Sequence, residues 1–204
     1  MIAIIDYGVG NLFSLRSSLE YIGWDAVITN DFEEIRSSGK LILPGVGAFA
    51  DAASMLRATG LDELVVDEAL KGKPLLGVCL GMQMLFEESL EFGRHKGLGL
   101  LRGAVAPISG RIPANYKIPH IGWNALRFPK GMASPLFRYI KEGDHVYFVH
   151  SYHAENCEES IIATTEYGAE LTAAVGRGNV FGTQFHPEKS GVTGLNILRA
   201  FAEL

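Results

Sequence analysis

The sequence predicts an α/β fold: an open, mostly parallel central sheet flanked by helices, with additional antiparallel strands in the C-terminal half. Three observations carry this. The first half of the 204-residue chain alternates short apolar runs with helix-periodic segments, the pattern of a parallel sheet covered on both faces. Glycine-rich turns follow several of those runs and open the next helix. Past Gly103 the helical spacing gives way to short β-rich runs and returns only at the end of the chain.

The elements follow in order. "IAII" (2–5) reads as a first strand, and residues 12–23 as a helix with Leu12, Leu15, Leu19 and Ile22 on one face and Gly23 at its end. "AVIT" (26–29), a short helix over 31–38 and "KLILP" (40–44) come next. Residues 48–72 are helix-periodic with a break near Gly60, "PLLGV" (74–78) is a fourth strand, and 80–89 reads as a helix. The β-rich runs "GAVAPI", "HIGWNALRF", "HVYFVHSYHA", "SIIATTEY" and "LTAAVGRGNVFGTQF" are expected as antiparallel strands on one edge, and 194–204 as a closing helix.

With 48% hydrophobic residues, the chain can fill one sizeable core and is short for two, so a single domain over 1–204 is expected. A net charge of −5 without a basic cluster argues against a nucleic-acid surface. No apolar run reaches membrane-spanning length. "MIAIIDYGVG" lacks the basic flank and small-residue cleavage site of a signal peptide, so a cytoplasmic protein is expected. In that reducing compartment Cys79 and Cys157 are expected unpaired. Their spacing fits no zinc pattern, and neither a metal nor a cofactor is expected.

Two glycine loops follow strands. "GVGNLF" (8–13), with Asp31 beyond it, half-fits a dinucleotide fingerprint but has Phe13 where the third glycine belongs, so a tight turn with Asn11 as helix N-cap is the simpler reading. "PGVGAFA" (44–50) fits the glycine spacing better, yet the next strand ends on Cys79 rather than on a ribose-binding carboxylate. Its glycines suit a closely approaching backbone whose N–H groups face an oxyanion.

Gly77-Val78-Cys79-Leu80-Gly81 has the form of a nucleophile elbow, a sharp strand-to-helix turn that projects its central side chain from the strand's C-terminal end. The N–H of Leu80, with a second from Gly45-Val46-Gly47, is placed to stabilise an oxyanion. Taken alone, Cys79 could be a small buried hydrophobe. "QFHPEKS" (184–190) supplies what a thiol nucleophile needs: His186 after an apolar strand, and Glu188 two residues on, where an extended backbone points both side chains the same way. His150 and His153 are assigned a structural or substrate-loop role rather than metal binding, and His120 has no partner motif. Lys189 is by default a surface charge.

These residues resemble the class I, triad-type glutamine amidotransferases, whose fold is flavodoxin-like. "DYGVGNL", "PGVGAF", "GVCLGMQMLFE", "PHIGWN", "YFVHSY" and "GTQFHPEKSGVTGL" are similar, within that family, to glutaminase subunits of imidazole glycerol phosphate synthases of histidine biosynthesis. The match runs from the first strand to the last helix and departs at Gly191, where a second serine is common. The resemblance implies glutamine as substrate, Cys79, His186 and Glu188 as catalytic residues, and Gln83 and the Ser151–Tyr152 backbone as substrate-binding. It also implies a heterodimer with a (β/α)8-barrel synthase (cyclase) subunit that receives the ammonia, with Asn11, Trp123 and Lys189 as candidates for the partner side. Trp123 is favoured there as an interface anchor, against a core tryptophan. Glycines flanking Val46 suit a peptide flip that a partner could control. Other readings are a glutaminase for another synthase (pyridoxal phosphate or anthranilate), a cysteine peptidase or chaperone of related fold, and a non-catalytic relic.

Overall fold

A computed structural model describes residues 1–129 and 134–204. Strand β1 (Ile2–Ile5) leads to α1 (Leu12–Tyr21), β2 (Ala26–Thr29), α2 (Phe32–Ser37) and β3 (Lys40–Leu43). Helices α3 (Phe49–Ala58) and α4 (Leu61–Leu70) follow, separated at Gly60, and then β4 (Leu75–Val78). The chain continues through α5 (Leu80–Met84), β5 (Phe86–Ser89), β6 (His95–Lys96), β7 (Leu101–Pro107), β8 (His120–Arg127), β9 (His145–His150) and β10 (Tyr152–Glu155). Strands β11 (Ile161–Glu166), β12 (Glu170–Arg177) and β13 (Val180–Thr183) precede the last helix, α6 (Gly191–Ala202).

Nine strands form the main sheet in the order β2-β1-β3-β4-β13-β12-β11-β8-β9. The first five are parallel; from β13 outward each pair is antiparallel. Alternation along the parallel strands divides the core. Ala3, Ile5, Leu41, Leu43 and Leu75 pack under α2 to α5, whereas Ile2, Ile4, Ile42, Leu76 and Val78 face α1 and α6. Both faces are covered, which is why these strands read as unbroken apolar runs.

The expected helix over 80–89 is corrected: α5 stops at Met84, and Phe86–Ser89 is strand β5. Leu, Phe and Glu suit a helix locally, but pairing with β7 and β6 overrides propensity. The β-rich runs also do not all join the main sheet. "GAVAPI" and residues 152–155 belong to a second, four-stranded sheet, β10-β7-β5-β6, whose Leu101, Val105 and Ala154 pack into the α2–α5 side of the core. Asp31 does not point to a nucleotide; its carboxylate caps α2, accepting from the N–H groups of Glu33 and Glu34. Among the described residues no helix is long and apolar enough to cross a membrane.

This topology sets four neighbouring parallel strands, β1, β3, β4 and β13, with their C-terminal ends along one rim. The four segments that leave them carry Asn11, the 44–47 glycine loop, Cys79 and His186. Ligands of open α/β sheets bind at that rim.

Candidate active site

The elbow is strained as its sequence demands. Cys79 has φ 54° and ψ −111°, a conformation costly for a residue with a Cβ. Its flanking glycines are needed for space. A Cβ on Gly81 would lie 1.8 Å from the Leu43 carbonyl oxygen, and one on Gly77 would lie 2.7 Å from main-chain atoms of Gly81 and Met82. The thiol is buried, at 7% exposure, and the Cys79 N–H donates to the Thr183 carbonyl (2.7 Å), tying the elbow to the strand end that leads to His186. Leu80 is the first residue of α5, so its N–H has no carbonyl four residues back to bond.

His186 is held from both sides. Its Nδ1 donates to Glu188 Oε1 (2.8 Å), which leaves Nε2 as the ring nitrogen available to Cys79, with which the ring shares one cavity. Its main-chain N–H donates to Tyr147 on β9, and its carbonyl accepts from Ser190 Oγ, which also accepts from the Tyr147 N–H. Burial opposes the charged ring, but the hydrogen bonds to Cys79 and Glu188, with their negative charge, outweigh it and push the imidazole up to about 9. For Glu188, whose side chain is wholly buried, burial opposes the carboxylate. The His186 hydrogen bond and charge, then the bond from Asn11, outweigh burial and hold Glu188 below the ordinary carboxylate range.

Cys79 and His186 open onto a cavity of about 660 Å³. Val46, Gly47, Leu80, Gln83, Ser151, Tyr152, Asn11 and Lys189 also line it. Gly45 does not: it is buried beneath the loop, against Gly81, Leu80 and Tyr7. Gln83 Nε2 donates to the Tyr152 carbonyl (3.2 Å) and to Gln184 Oε1 (3.0 Å). Asn11 holds the N-cap position of α1, as expected, but its side chain makes no cap hydrogen bond and instead donates to Glu188 Oε1 (3.0 Å). Trp123 is not a core residue. It is 53% exposed, against Tyr147 and within 4.0 Å of a Cβ built on Gly191.

Further residues complete the site: Gln184, Glu91 and Phe92, to which the sequence assigned no role, and His150, to which it assigned a structural or substrate-loop role. Gln184 Nε2 donates to Cys79 Sγ (3.8 Å); it precedes His186 by two in a strand end, and that spacing was the available signal. Glu91 and Phe92 reach the cavity from the segment after β5, and Glu91 also accepts the Phe49 N–H at the start of α3. His150 lines the cavity and its Nδ1 donates to the Tyr152 carbonyl (2.8 Å), while its Nε2 meets His120 Nδ1 at 3.0 Å. Burial pushes His150 down to about 3. These rings support the Ser151–Tyr152 segment. Cys157, buried elsewhere and pushed up to about 11 mainly by burial, lies against Thr172 and has no histidine partner among the described residues. Among the described residues no group of three or more His, Cys, Asp or Glu side chains is placed to hold a metal ion.

The family model "Glutamine amidotransferase class-I" matches residues 3–203. The chain belongs to the class I glutamine amidotransferases. A relative from Caldanaerobacter subterraneus, named imidazole glycerol phosphate synthase subunit HisH, is 51% identical across 100% of this chain and 98% of its own length. Relatives of the same name from Geobacillus kaustophilus and Lactococcus lactis are 52% and 50% identical over 98% and 99% of the chain, and 95% and 98% of their own lengths. The fold of this amidotransferase is shared with PurLQS from Thermotoga maritima (TM-score 0.76, 20% identity, 99% of this chain and 97% of that one). It is shared equally with a structure described as a glutamine amidotransferase (TM-score 0.76, 21% identity, 100% and 98%).

Proposed function

We propose that the chain hydrolyses glutamine to glutamate and ammonia, as the glutaminase subunit of an imidazole glycerol phosphate synthase in histidine biosynthesis. The observation that carries this is that Cys79 and His186 line one cavity with the buried Glu188 hydrogen-bonded behind His186, in a chain about half identical along its length to subunits of that name. Cys79 passes its thiol proton to His186 Nε2, and the sulfur attacks the side-chain carboxamide carbon. N–H groups of Leu80 and of the 45–47 loop stabilise the oxygen that gains negative charge. His186 Nε2 gives its proton to the departing nitrogen, so ammonia leaves and a glutamyl thioester remains. A water molecule loses a proton to His186 and attacks the thioester carbonyl, releasing glutamate and restoring Cys79. Glu188 keeps Nδ1 protonated and aims the ring.

Glu91 is suited to the substrate's ammonium, Gln83 and the Ser151–Tyr152 backbone to its amino-acid end, and Gln184 keeps Gln83 and Cys79 in register. Ammonia set free in neutral water becomes mostly ammonium and is no longer a nucleophile, so the product is useful only if passed directly to a second site. We infer a heterodimer with a (β/α)8-barrel cyclase subunit that consumes it. Trp123 and Ile121 are exposed on β8, with Val192 at the start of α6, an apolar group beside the turn that carries His186 and Lys189. Gly47, at φ +92°, can reorient with little strain, so contact with the partner sets the oxyanion loop.

The test is glutamate release with and without the barrel synthase and its ribotide substrate. Release that needs Cys79 and rises with the partner supports the proposal. Full turnover by the isolated chain rejects control through the loop. Peptide cleavage without glutamine turnover rejects the whole reading.

A further inference from the structure

The reaction leaves one motif without a role: the glycine loop after β1. It turns tightly, with the Gly8 N–H donating to Asp6 Oδ1 (3.1 Å). Tyr7 points inward, 4% exposed, and its Oη donates to the Pro44 carbonyl (2.7 Å) while lying 3.7 Å from Met84 Sδ. Pro44 is the first residue of the glycine loop after β3. Its carbonyl and the Gly45 N–H share one planar peptide, so fixing one fixes the direction of the other. A Cβ on Gly45 would lie 2.9 Å from Tyr7 Oη and 2.8 Å from the Gly81 nitrogen, so hydroxyl, loop and elbow meet at one point. Gly10, at φ +121°, lies against the same proline; a Cβ there would come within 2.9 Å of Pro44 Cβ.

The other end of the loop reaches the proton relay. Asn11 Nδ2 donates to Glu188 Oε1 (3.0 Å), the oxygen that also accepts from His186 Nδ1. Glu188 Oε2 is buried with no hydrogen-bond partner among the described residues, so the carboxylate is oriented through Oε1 alone.

We propose that Tyr7 and Asn11 are positioning residues, and that the loop between them holds the oxyanion loop and the Cys79–His186–Glu188 line in one frame. Tyr7 clamps the oxyanion loop at Pro44, and Asn11 clamps the relay at Glu188. Burial, with the nearby Cys79, raises the Tyr7 phenol well above its ordinary range, so it remains a neutral donor throughout the working pH range. This inference rests on the glutaminase reading above.

The experiment measures glutamine hydrolysis by the complex with its synthase, for Tyr7→Phe, Asn11→Ala, the double variant and Cys79→Ala. Tyr7→Phe keeps the ring and leaves a buried carbonyl unpaired. It is expected to lower kcat about tenfold while KM stays within about twofold. Asn11→Ala removes a donor to the carboxylate, so the acid limb of the kcat profile moves to higher pH. Because one loop carries both clamps, the double variant loses less than the product of the two singles. Wild-type kcat and an unmoved acid limb, with only a lowered thermal midpoint, would make both residues merely structural and overturn the proposal. Simple multiplication of the two effects would overturn the shared frame. Turnover retained by Cys79→Ala would sink the underlying glutaminase reading instead.

Discussion

Gly81→Ala is the substitution whose cost the structure defines best. The added methyl would sit 1.8 Å from the Leu43 carbonyl oxygen, 2.8 Å from its carbon and 3.1 Å from the Pro44 carbonyl carbon. All three are main-chain atoms of β3 and the loop that follows it, so no rotamer change relieves the overlap. Reaching even 3.0 Å requires the elbow and the oxyanion loop to separate by about 1.2 Å. Overpacking of this kind costs about 3 kcal/mol, which for a chain of this length is roughly 6–12 °C in thermal midpoint. A displacement of about 1 Å between nucleophile and oxyanion donors costs about 100-fold in kcat. Glutamine hydrolysis by the complex, measured well below both thermal transitions, reads the second effect separately from the first. Gly110→Ala is the control, because its Cβ meets nothing within 4 Å at an ordinary φ. Wild-type kcat in Gly81→Ala would refute the claim that elbow and glycine loop are pressed together as one unit.

Other consequences follow from the charges and the exposed face. His186 is raised to about 9, so the stability its imidazolium contributes is complete below the unfolded-state value near 6.5 and fades as pH rises through about 9. The acyl-forming rate is expected to fall over the same upper range as Nε2 loses the proton it must donate. Glu188→Gln removes the negative charge that helps hold that proton. Its basic limb should therefore shift to lower pH; an unmoved limb would mean that the carboxylate does not act on the ring. Trp123→Ala should weaken binding to the barrel synthase about 10- to 100-fold with the thermal midpoint nearly unchanged, since the ring is half exposed; calorimetric titration that finds equal affinity removes Trp123 from the interface.

Much of the sheet could be read from the chain because its parallel strands are covered on both faces and therefore appear as short apolar runs between amphipathic helices. The elbow was readable for a related reason: Gly77 and Gly81 are local answers to a local steric problem, visible in five residues. Strand β5 was not readable. Phe86–Ser89 has the composition of a helix and becomes a strand only because β7 and β6, later in the chain, are there to pair with it. The same applies to Asn11, which suits an N-cap by its position but donates to a carboxylate 177 residues away. Glu91 and Phe92 reach the cavity from a segment with no motif of its own, and only the second sheet brings them there. Gln184 went unassigned: it stands two residues before His186 at a strand end, but nothing local ties it to Gln83.

The central claim is tested most directly by acid-quenching the complex during glutamine turnover and mapping the covalent adduct by mass spectrometry. The account predicts a single glutamyl group on the peptide containing Cys79, lost on longer incubation and absent from Cys79→Ala. Steady glutamate release with no adduct on Cys79, or an adduct on another residue, would contradict it.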